Sequence, residues 1–305
     1  MFLQGWFFNF GANSLFFYIN AWGAEMYRIT KVINNNIVCS VDRDGSEIIL
    51  RGLGIGFQKN AHDEIPDDKV EKIFKMTNQK DSNKLKELLA EVPNEYVSTC
   101  TEIIDMAKKQ LGKRLNENIY ITLTDHISFA IERKRQNLEY KNALLIEIKN
   151  FYQPEYEIGL LALQIINNNL DESLSIDEAG FIALHIVNAE LDTDISSMMK
   201  ITELIQKVIE ITTNYYQMDL DEDSLHYERF ITHLKFFGQR LFNNKITKDD
   251  DATFQKMIKK RYAKDYQCAT KIKNYVLESL GKQISEEEMV FLTVHLRRIS
   301  STSNE

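Results

Sequence analysis

Residues 27–57 alternate between apolar and polar positions over short stretches that turn-forming residues separate. The segments 27–33, 37–41 and 47–50 are rich in β-branched residues, as is typical of strands that cover a core on one face. Three asparagines at 34–36 predict a turn, and the Asp-Arg-Asp-Gly sequence at 42–45 predicts a hairpin connection. The glycine-rich segment 51–57 predicts a further strand or a bulge. A domain of about 55 residues buries little surface alone, so we expect it to self-associate.

After Pro66 the apolar positions recur at the three-to-four-residue interval of helices. Only three prolines and twelve glycines occur in 305 residues, so few residues interrupt long helices. Gly112 and Gly281 stand where helices are expected to end. The predicted helices lie near residues 82–91, 95–111, 117–136, 155–169, 176–190, 198–216, 222–243, 265–280 and 286–299.

The helical part contains one pattern twice. The order His-apolar-x-Phe-x-x-x-Arg occurs first at His126, Phe129 and Arg133 and again at His233, Phe236 and Arg240. A second pair of histidines, His185 and His295, follows the first pair in the same order. Each of these two histidines is preceded by a tyrosine at the same interval, by a phenylalanine one helical turn earlier, and by a Ser-x-x-Glu sequence that predicts a capping box. In the first copy these residues are Tyr156, Phe181, Ser175 and Glu178; in the second they are Tyr266, Phe291, Ser285 and Glu288. The chain is therefore predicted to hold two copies of one helical module, each with two histidines.

Composition and charge narrow the possible roles. Apolar residues make up 44% of the chain and charged residues 27%, which excludes a disordered or fibrous protein. The formal net charge of −8 disfavours binding of nucleic acid through bulk charge alone. Three cysteines at distant positions, with no Cys-x-x-Cys pair, favour a reducing cytoplasm over a disulfide framework or a cysteine-based zinc site: Cys39, Cys100 and Cys268.

The segment 1–25 differs from the rest of the chain. It contains nine aromatic residues, including Trp6 and Trp22, and no Lys or Arg. A secretory signal needs a positively charged start, and Asn9, Asn13 and Asn20 interrupt a possible membrane span. We expect residues 1–25 to be a translated upstream stretch that precedes a natural start at Met26; a tail that touches a membrane is the alternative.

Four histidines at matched positions point to a shared role. Metal binding would call for more ligands at one-turn spacing, and neither His-x-x-x-His nor His-Glu-x-x-His occurs. Acid–base catalysis normally uses one site in a chain rather than two copies. Reversible phosphorylation fits better, because a neutral imidazole is a nucleophile near physiological pH and the added charge rearranges an interface. Asp125, next to His126, can orient that ring or repel a phosphoryl group.

Several segments resemble the BglG/SacY family of transcriptional antiterminators, over residues 26–300. They are Ile-Thr-Lys-Val-Ile-Asn-Asn-Asn (29–36), Gly-Leu-Gly-Ile-Gly-Phe-Gln-Lys (52–59), Leu-Thr-Asp-His (123–126), Gly-Phe-Ile-Ala-Leu-His (180–185), Ile-Thr-His-Leu-Lys-Phe (231–236) and Glu-Glu-Met-Val-Phe-Leu (287–292).

The resemblance implies an α+β protein in which a small antiparallel β RNA-binding domain (26–82) precedes two tandem all-α helical-bundle modules (91–196 and 197–303). Such a protein binds a leader-mRNA hairpin as a homodimer and prevents the overlapping terminator from forming. It is neither an enzyme nor inserted in a membrane, and it needs no cofactor or metal.

The resemblance also implies regulation by the sugar phosphotransferase system through the four histidines. A sugar-transporter EII component phosphorylates the first module, at His126 and His185, and this is generally inhibitory. The phosphocarrier protein HPr phosphorylates the second, at His233 and His295, and this is generally activating. The small β domain is more similar to relatives that control β-glucoside genes than to those that control sucrose genes.

The residues of the small β domain give a weaker signal for RNA. Residues 26–60 carry five Lys or Arg against three acids, a net of +2. Recognition would therefore rest on shape and on polar groups that meet unpaired bases. Together with the resemblance, this composition suggests six candidate RNA contacts. Lys31 would contact phosphate, and the amides of Asn34 and Asn36 would contact bases. Gly52 and Gly54 would let the RNA backbone approach closely, and Phe57 would stack on a base.

One position departs from the family pattern, and two other classes of function stay open. Several relatives carry arginine between the two glycines where this chain has Leu53; Arg51 is nearby, but strand alternation points it to the opposite face. A DNA-binding activator with the same regulatory modules is one alternative. A metal-dependent phosphohydrolase, suggested by the His62-Asp63 dipeptide, is the other.

Overall fold

The computed structural model describes residues 26–243 and 252–302. These residues form two compact units. The first comprises residues 26–104 and 117–132, and the second comprises residues 105–116, 133–243 and 252–302. The leader predicted at 1–25 lies outside the described residues.

The strands are all in the first unit and pair in antiparallel fashion. One sheet has two strands, in the order β1-β5, and the other has four, in the order β2-β3-β4-β6. The strands are β1 (Met26–Arg28), β2 (Lys31–Asn34), β3 (Ile37–Val41), β4 (Glu47–Arg51), β5 (Glu64–Pro66) and β6 (Lys72–Phe74).

The two predicted turns of the β domain are present. Asp42 accepts hydrogen bonds from the backbone of Asp44 and Ser46 through its carboxylate, and Gly45 adopts a φ of +79°. Alternate side chains of the strands close a small core with Ile55 and Ile65. The segment 52–57 is a loop, so the predicted strand is wrong there; β5 and β6 were not predicted.

Apart from connecting loops and a 3-10 turn at Asp67–Lys69, the rest of the described chain is α-helical. The helices are α1 (Gln79–Glu91), α2 (Asn94–Leu111), α3 (Ile119–Arg135), α4 (Leu145–Phe151), α5 (Gln153–Leu170), α6 (Ile176–Leu191), α7 (Ile195–Tyr216), α8 (Leu225–Phe242), α9 (Ala252–Arg261), α10 (Ala263–Leu280) and α11 (Glu286–Thr302). Gly112 and Gly281 follow α2 and α10 with φ of +62°, as predicted for residues that end helices.

The second unit repeats a three-helix arrangement. The series α4-α5-α6 corresponds in order and length to α9-α10-α11, and Tyr152 and Tyr262 occupy the junction between the first two helices of each series. One continuous core joins helices of both series with α7 and α8, because side chains from Leu144 to Ile299 pack in a single cluster. The repeat inferred from the histidines is therefore present in the helix order.

Candidate RNA-binding surface and histidine sites

The turn between β2 and β3 is bonded to the loop 52–57. The backbone N–H groups of Gly52 and Gly56 donate to the carbonyl oxygens of Asn36 (3.0 Å) and Asn35 (2.9 Å). The N–H of Gly54 donates to Asn36 Oδ1 at 2.8 Å. These bonds fix the predicted RNA-binding segments, 34–36 and 52–57, as one surface, which we call the turn–loop surface.

The side chain of Asn34 is engaged within the protein. Its Nδ2 donates to the Leu89 carbonyl on α1 at 2.9 Å, and its Oδ1 accepts from the backbone N–H of Asn36 at 2.9 Å. The second bond is an Asx turn, which holds the β2–β3 connection. Asn34 therefore shapes the surface, whatever it also contributes to a ligand.

Two large apolar side chains point into solvent from the loop. Phe57 is 58% exposed and Leu53 is 81% exposed. The predicted stacking ring at Phe57 is therefore accessible rather than part of the core. Lys31, the predicted phosphate contact, is also exposed, at the start of β2.

Gly52 and Gly54 require glycine for different physical reasons. Gly52 is buried, and a Cβ there would lie 2.1 Å from the Lys69 carbonyl oxygen. The close approach that requires glycine is thus made by the protein's own backbone, which corrects the reason expected for Gly52. Gly54 is exposed with a φ of +69°, a conformation that favours glycine.

Arg51 is buried, and its partner Glu71 also accepts a hydrogen bond from the Leu53 N–H at 3.3 Å. Its guanidinium forms an ion pair with Glu71 at 3.1 Å and a hydrogen bond with Asn94 at 3.4 Å. Because its guanidinium is buried in these bonds, Arg51 does not present an exposed charge in place of the family arginine at Leu53.

The predicted histidines of the first module lie on two helices. His126 is on α3 and half-buried, and His185 is on α6 and only 8% exposed. His126 belongs to the first compact unit and His185 to the second.

The histidines of the second module lie side by side. The rings of His233 on α8 and His295 on α11 stack with centroids 4.7 Å apart and an interplanar angle of 21°. Phe291, one turn before His295, is 5.6 Å from the His233 ring, and Phe230 is 6.2 Å from the His295 ring. The repeat thus brings together two of the four predicted phosphorylation sites.

A buried carboxylate faces His233. Glu288 Oε2 lies 3.7 Å from His233 Nε2, and neither atom has a hydrogen-bond partner among the described residues. Glu288 Oε1 accepts a hydrogen bond from Arg240 Nε at 2.6 Å. The arginine of the repeat pattern therefore holds the carboxylate that faces the histidine.

Both rings of this pair favour the neutral form. Burial, then the charges of His295 and Arg240, lower the pKa of His233 to about 3. Burial, then the charges of Arg298 and Arg229, lower the pKa of His295. A neutral imidazole keeps a nitrogen lone pair, which is the nucleophile that phosphoryl transfer needs.

The pair also lines a surface pocket of about 370 Å³. Helix α8 contributes most of the wall, and α11 contributes His295. The lining residues are Leu225, Glu228, Arg229, Thr232, His233 and His295.

The first module carries the same arginine–glutamate pair. Arg133 donates to Glu178 at 2.9 Å, with both side chains buried. The predicted capping box is wrong at Ser175, whose hydroxyl has no hydrogen-bond partner among the described residues. At the second position, Ser285 Oγ does accept from the N–H of Glu288 at 3.2 Å. The two arginine–glutamate ion pairs were not predicted from the sequence. The signal that could have predicted them is that the arginine and the glutamate occupy matched positions in both copies of the repeat.

The residues that could suggest a metal-dependent enzyme serve a turn. The His62 N–H donates to the Ile29 carbonyl at 2.7 Å, and Asp63 Oδ2 accepts from the Asn60 N–H at 2.8 Å. Within residues 26–243 and 252–302 no cluster of three His, Cys, Asp or Glu is placed to hold a metal ion. Nor does any helix in these ranges have the length and apolar composition to cross a membrane.

Comparisons with known proteins identify the modules. Residues 27–83 match the CAT RNA binding domain, and residues 101–189 and 206–299 each match the PRD domain. The chain is 43% identical to transcription antiterminator LicT of Bacillus subtilis (strain 168) over 272 residues, which covers 89% of this chain and 98% of LicT.

The chain belongs to the BglG/LicT family of transcription antiterminators.

Further relatives agree with this family. The beta-glucoside operon antiterminator of Dickeya chrysanthemi is 39% identical, over 91% of this chain and 98% of its own length. A crystal structure of GlcT CAT-PRDI matches with a TM-score of 0.50 and 37% identity, over 54% of this chain and 98% of that one. The antiterminator thus has an RNA-binding β domain and two regulatory helical regions, and the family consists of regulators rather than enzymes. The predicted family, α+β fold class and non-enzymatic role are confirmed.

Proposed function

We propose that this antiterminator acts in the cytoplasm as a homodimer that binds a hairpin in a leader mRNA and prevents the terminator from forming. The turn–loop surface is the proposed contact. It presents an exposed aromatic ring at Phe57 and the exposed backbone of Gly54, and Lys31 at the start of β2 offers a further exposed ammonium. The charge of +2 over residues 26–60 makes shape and stacking, rather than charge, the main source of recognition.

The proposed target is a transcript for β-glucoside use. The name of one similar protein supports it, since that relative is the antiterminator of a beta-glucoside operon. Asn36 contributes to recognition by holding Gly54 through its Oδ1. Asn34 and Gly52 contribute by keeping the turn and loop in place.

Control is proposed to operate through phosphorylation of His126, His185, His233 and His295. HPr phosphorylates the second module and activates; a sugar-transporter EII component phosphorylates the first and inhibits. The observation that carries this proposal is the stacked His233–His295 pair, 4.7 Å apart, at the wall of a pocket. The lowered pKa of both rings keeps them nucleophilic at neutral pH.

RNA binding can be tested by a gel shift with the full chain. A leader hairpin and a DNA duplex of equal length are the two probes, and sedimentation of the complex gives the number of chains. We expect two chains on the RNA and little binding of DNA. Preference for the duplex would instead support a DNA-binding activator.

The role of the turn–loop surface needs a matched pair of variants. Phe57→Ala should weaken RNA binding about tenfold, because stacking of one base is worth about 1–3 kcal/mol. Phe254→Ala removes another partly exposed ring, on α9, and should leave the affinity unchanged. Equal affinities of the two variants would exclude Phe57 from the contact.

Regulation can be tested by a reporter of transcriptional readthrough. His233→Ala or His295→Ala should abolish activation by HPr. His126→Ala or His185→Ala should leave activity on without the sugar. His226 lies outside the repeat, so His226→Ala is the control; unchanged HPr response in the second-module variants would refute the proposed roles.

A further inference from the structure

Two arginines flank the stacked histidines of the second module. Arg229 is four residues before His233 on α8, and Arg298 is three residues after His295 on α11. Residues at these intervals share one face of a helix. Arg229 lines the same pocket as both rings, and both arginine side chains are exposed.

The negative charges of the site lie mainly towards His233. Glu288 faces His233 Nε2 at 3.7 Å and is paired with Arg240, while Glu228 lines the pocket. Cations act on both rings, but Arg240, which acts on His233, is already paired with Glu288. The arginines that act on His295 and, after burial, lower its pKa are Arg298 and Arg229. An anion is therefore better accommodated on His295 than on His233.

The first module lacks both cations. The position equivalent to Arg229, four residues before the first histidine of the module, is Thr122. The position equivalent to Arg298, three residues after the second histidine, is Asn188. The repeat retains the histidines and the arginine–glutamate ion pair in both modules. The added arginines are thus particular to the second module.

We propose that Arg229 and Arg298 form a phosphoryl-binding subsite that holds the phosphoryl group carried by His295. This inference rests on the proposed phosphorylation of the second module. Guanidinium groups suit this task because their planar donors bond two phosphate oxygens at once.

The group transfer needs no further reactant. The P–N bond of the donor phosphohistidine on HPr breaks as a P–N bond forms to a ring nitrogen of His295. The electron pair of the broken bond returns to the donor imidazole, so the donor ring is released with its lone pair. Since the transfer is reversible, cations that bind the phosphoryl group favour its retention on His295 over its return to HPr.

The test measures retention of the phosphoryl group in the full chain. The protein is phosphorylated with phospho-HPr, then challenged with excess unphosphorylated HPr, and phosphohistidine at each site is followed by mass spectrometry. Arg229→Gln and Arg298→Gln should each speed the loss from His295 about three- to tenfold, the range for a charge-assisted bond at an exposed site. Arg298→Lys should restore part of the retention.

Arg297→Gln is the matched control, because Arg297 is exposed on the same helix and adjacent to Arg298. Loss rates equal to the unaltered protein in both arginine variants would overturn the subsite. Equal acceleration by Arg297→Gln would also overturn it, because net charge alone would then explain the effect. Absence of phosphohistidine at every site in the unaltered protein would instead refute the proposed function itself. Unchanged loss from His233 in the same samples excludes general unfolding.

Discussion

The two helical modules hold the same ion pair in different surroundings. In the first module, Arg133 and Glu178 are sealed, with side chains only 9% and 6% exposed. In the second, the Arg240 side chain is 27% exposed, and Glu288 also faces His233. The duplicated pair is therefore shielded from water in the first module, whereas in the second its arginine is partly open to solvent.

Two acidic positions of the first module also have different surroundings from their equivalents in the second. In the first module, Lys113 bonds two carboxylates, Glu155 at 3.1 Å and Glu190 at 2.6 Å. In the second, the equivalents of these acids are Asp265 and Ser300, and Asp265 Oδ1 accepts from Tyr216 at 2.6 Å and from Ser300 at 3.2 Å. The first module thus sets two carboxylates against one half-exposed lysine, whereas the acid of the second module accepts from two neutral hydroxyl donors.

The two modules also differ in how closely two of their helices approach each other. A Cβ on Gly159 of α5 would lie 2.2 Å from the Ala179 carbonyl oxygen on α6. The equivalent residue on α10 is Ala269, which is fully buried. The first pair of helices therefore approaches more closely at this point than the side chain of the second allows.

The largest expected effect comes from removing one partner of the sealed ion pair. Arg133→Met leaves Glu178 buried without its partner and should lower the free energy of unfolding by about 3–5 kcal/mol. Arg240→Met should cost less, about 1–3 kcal/mol, because water reaches that site. Urea denaturation followed by circular dichroism measures both.

Arg135→Met provides the control for this comparison. Arg135 pairs with Glu172 at 2.8 Å, but its side chain is 61% exposed. The substitution should therefore lower the free energy of unfolding by no more than about 1 kcal/mol. A larger loss from Arg240→Met than from Arg133→Met would contradict the difference between the modules.

A change at the close helix contact should come next. Gly159→Ala forces α5 and α6 apart and should lower the free energy of unfolding by about 1–3 kcal/mol. Ala269→Gly, in the second module, loses helix propensity and a methyl contact and should cost about 1 kcal/mol. Stabilisation by Gly159→Ala in the same denaturation experiment would show that the contact is not tight.

The smallest effect depends on pH. Burial and the charge of Glu155, opposed by Lys113, raise the pKa of Glu190 to about 7. The folded state then binds more protons than the unfolded state between pH 4.5 and about 7, so its stability falls as pH rises through this range.

Glu190→Gln should remove that dependence. Between pH 5.5 and 7.5 the free energy of unfolding of the unaltered protein should fall by about 1–2 kcal/mol more than that of the variant. Ser300, at the equivalent position, has no titratable group, so Ser300→Ala should retain the slope of the unaltered protein. An identical slope in Glu190→Gln would contradict the raised pKa.

Local sequence patterns predicted much of this architecture. Asp42 and Gly45 made the hairpin predictable, and Gly112 and Gly281 ended helices, because turn and cap chemistry act over a few residues. Helices α4 and α9 were missed, since they are short and end at tyrosines that lack ordinary cap signals. The loop at 52–57 was misassigned because its bonds go to a turn that is distant in the chain.

The sites were predictable in part for the same reason. The repeat selected four histidines from spacing alone, and their phosphorylation stays a prediction. It did not reveal that Glu288 faces His233, or that Gly52 packs on Lys69, because those contacts join segments far apart in the chain. Tertiary proximity, rather than local pattern, determines the chemistry of the second-module pair.

Phosphorylation of the paired histidines in the second module is proposed to control binding of RNA. Its most direct test is the affinity of the full chain for a leader hairpin before and after treatment with phospho-HPr, with phosphohistidine mapped in the same samples. We predict that phosphate appears on His233 or His295 and that RNA affinity rises with it. Phosphate at these residues with unchanged affinity, or tighter binding with neither residue modified, would contradict the account.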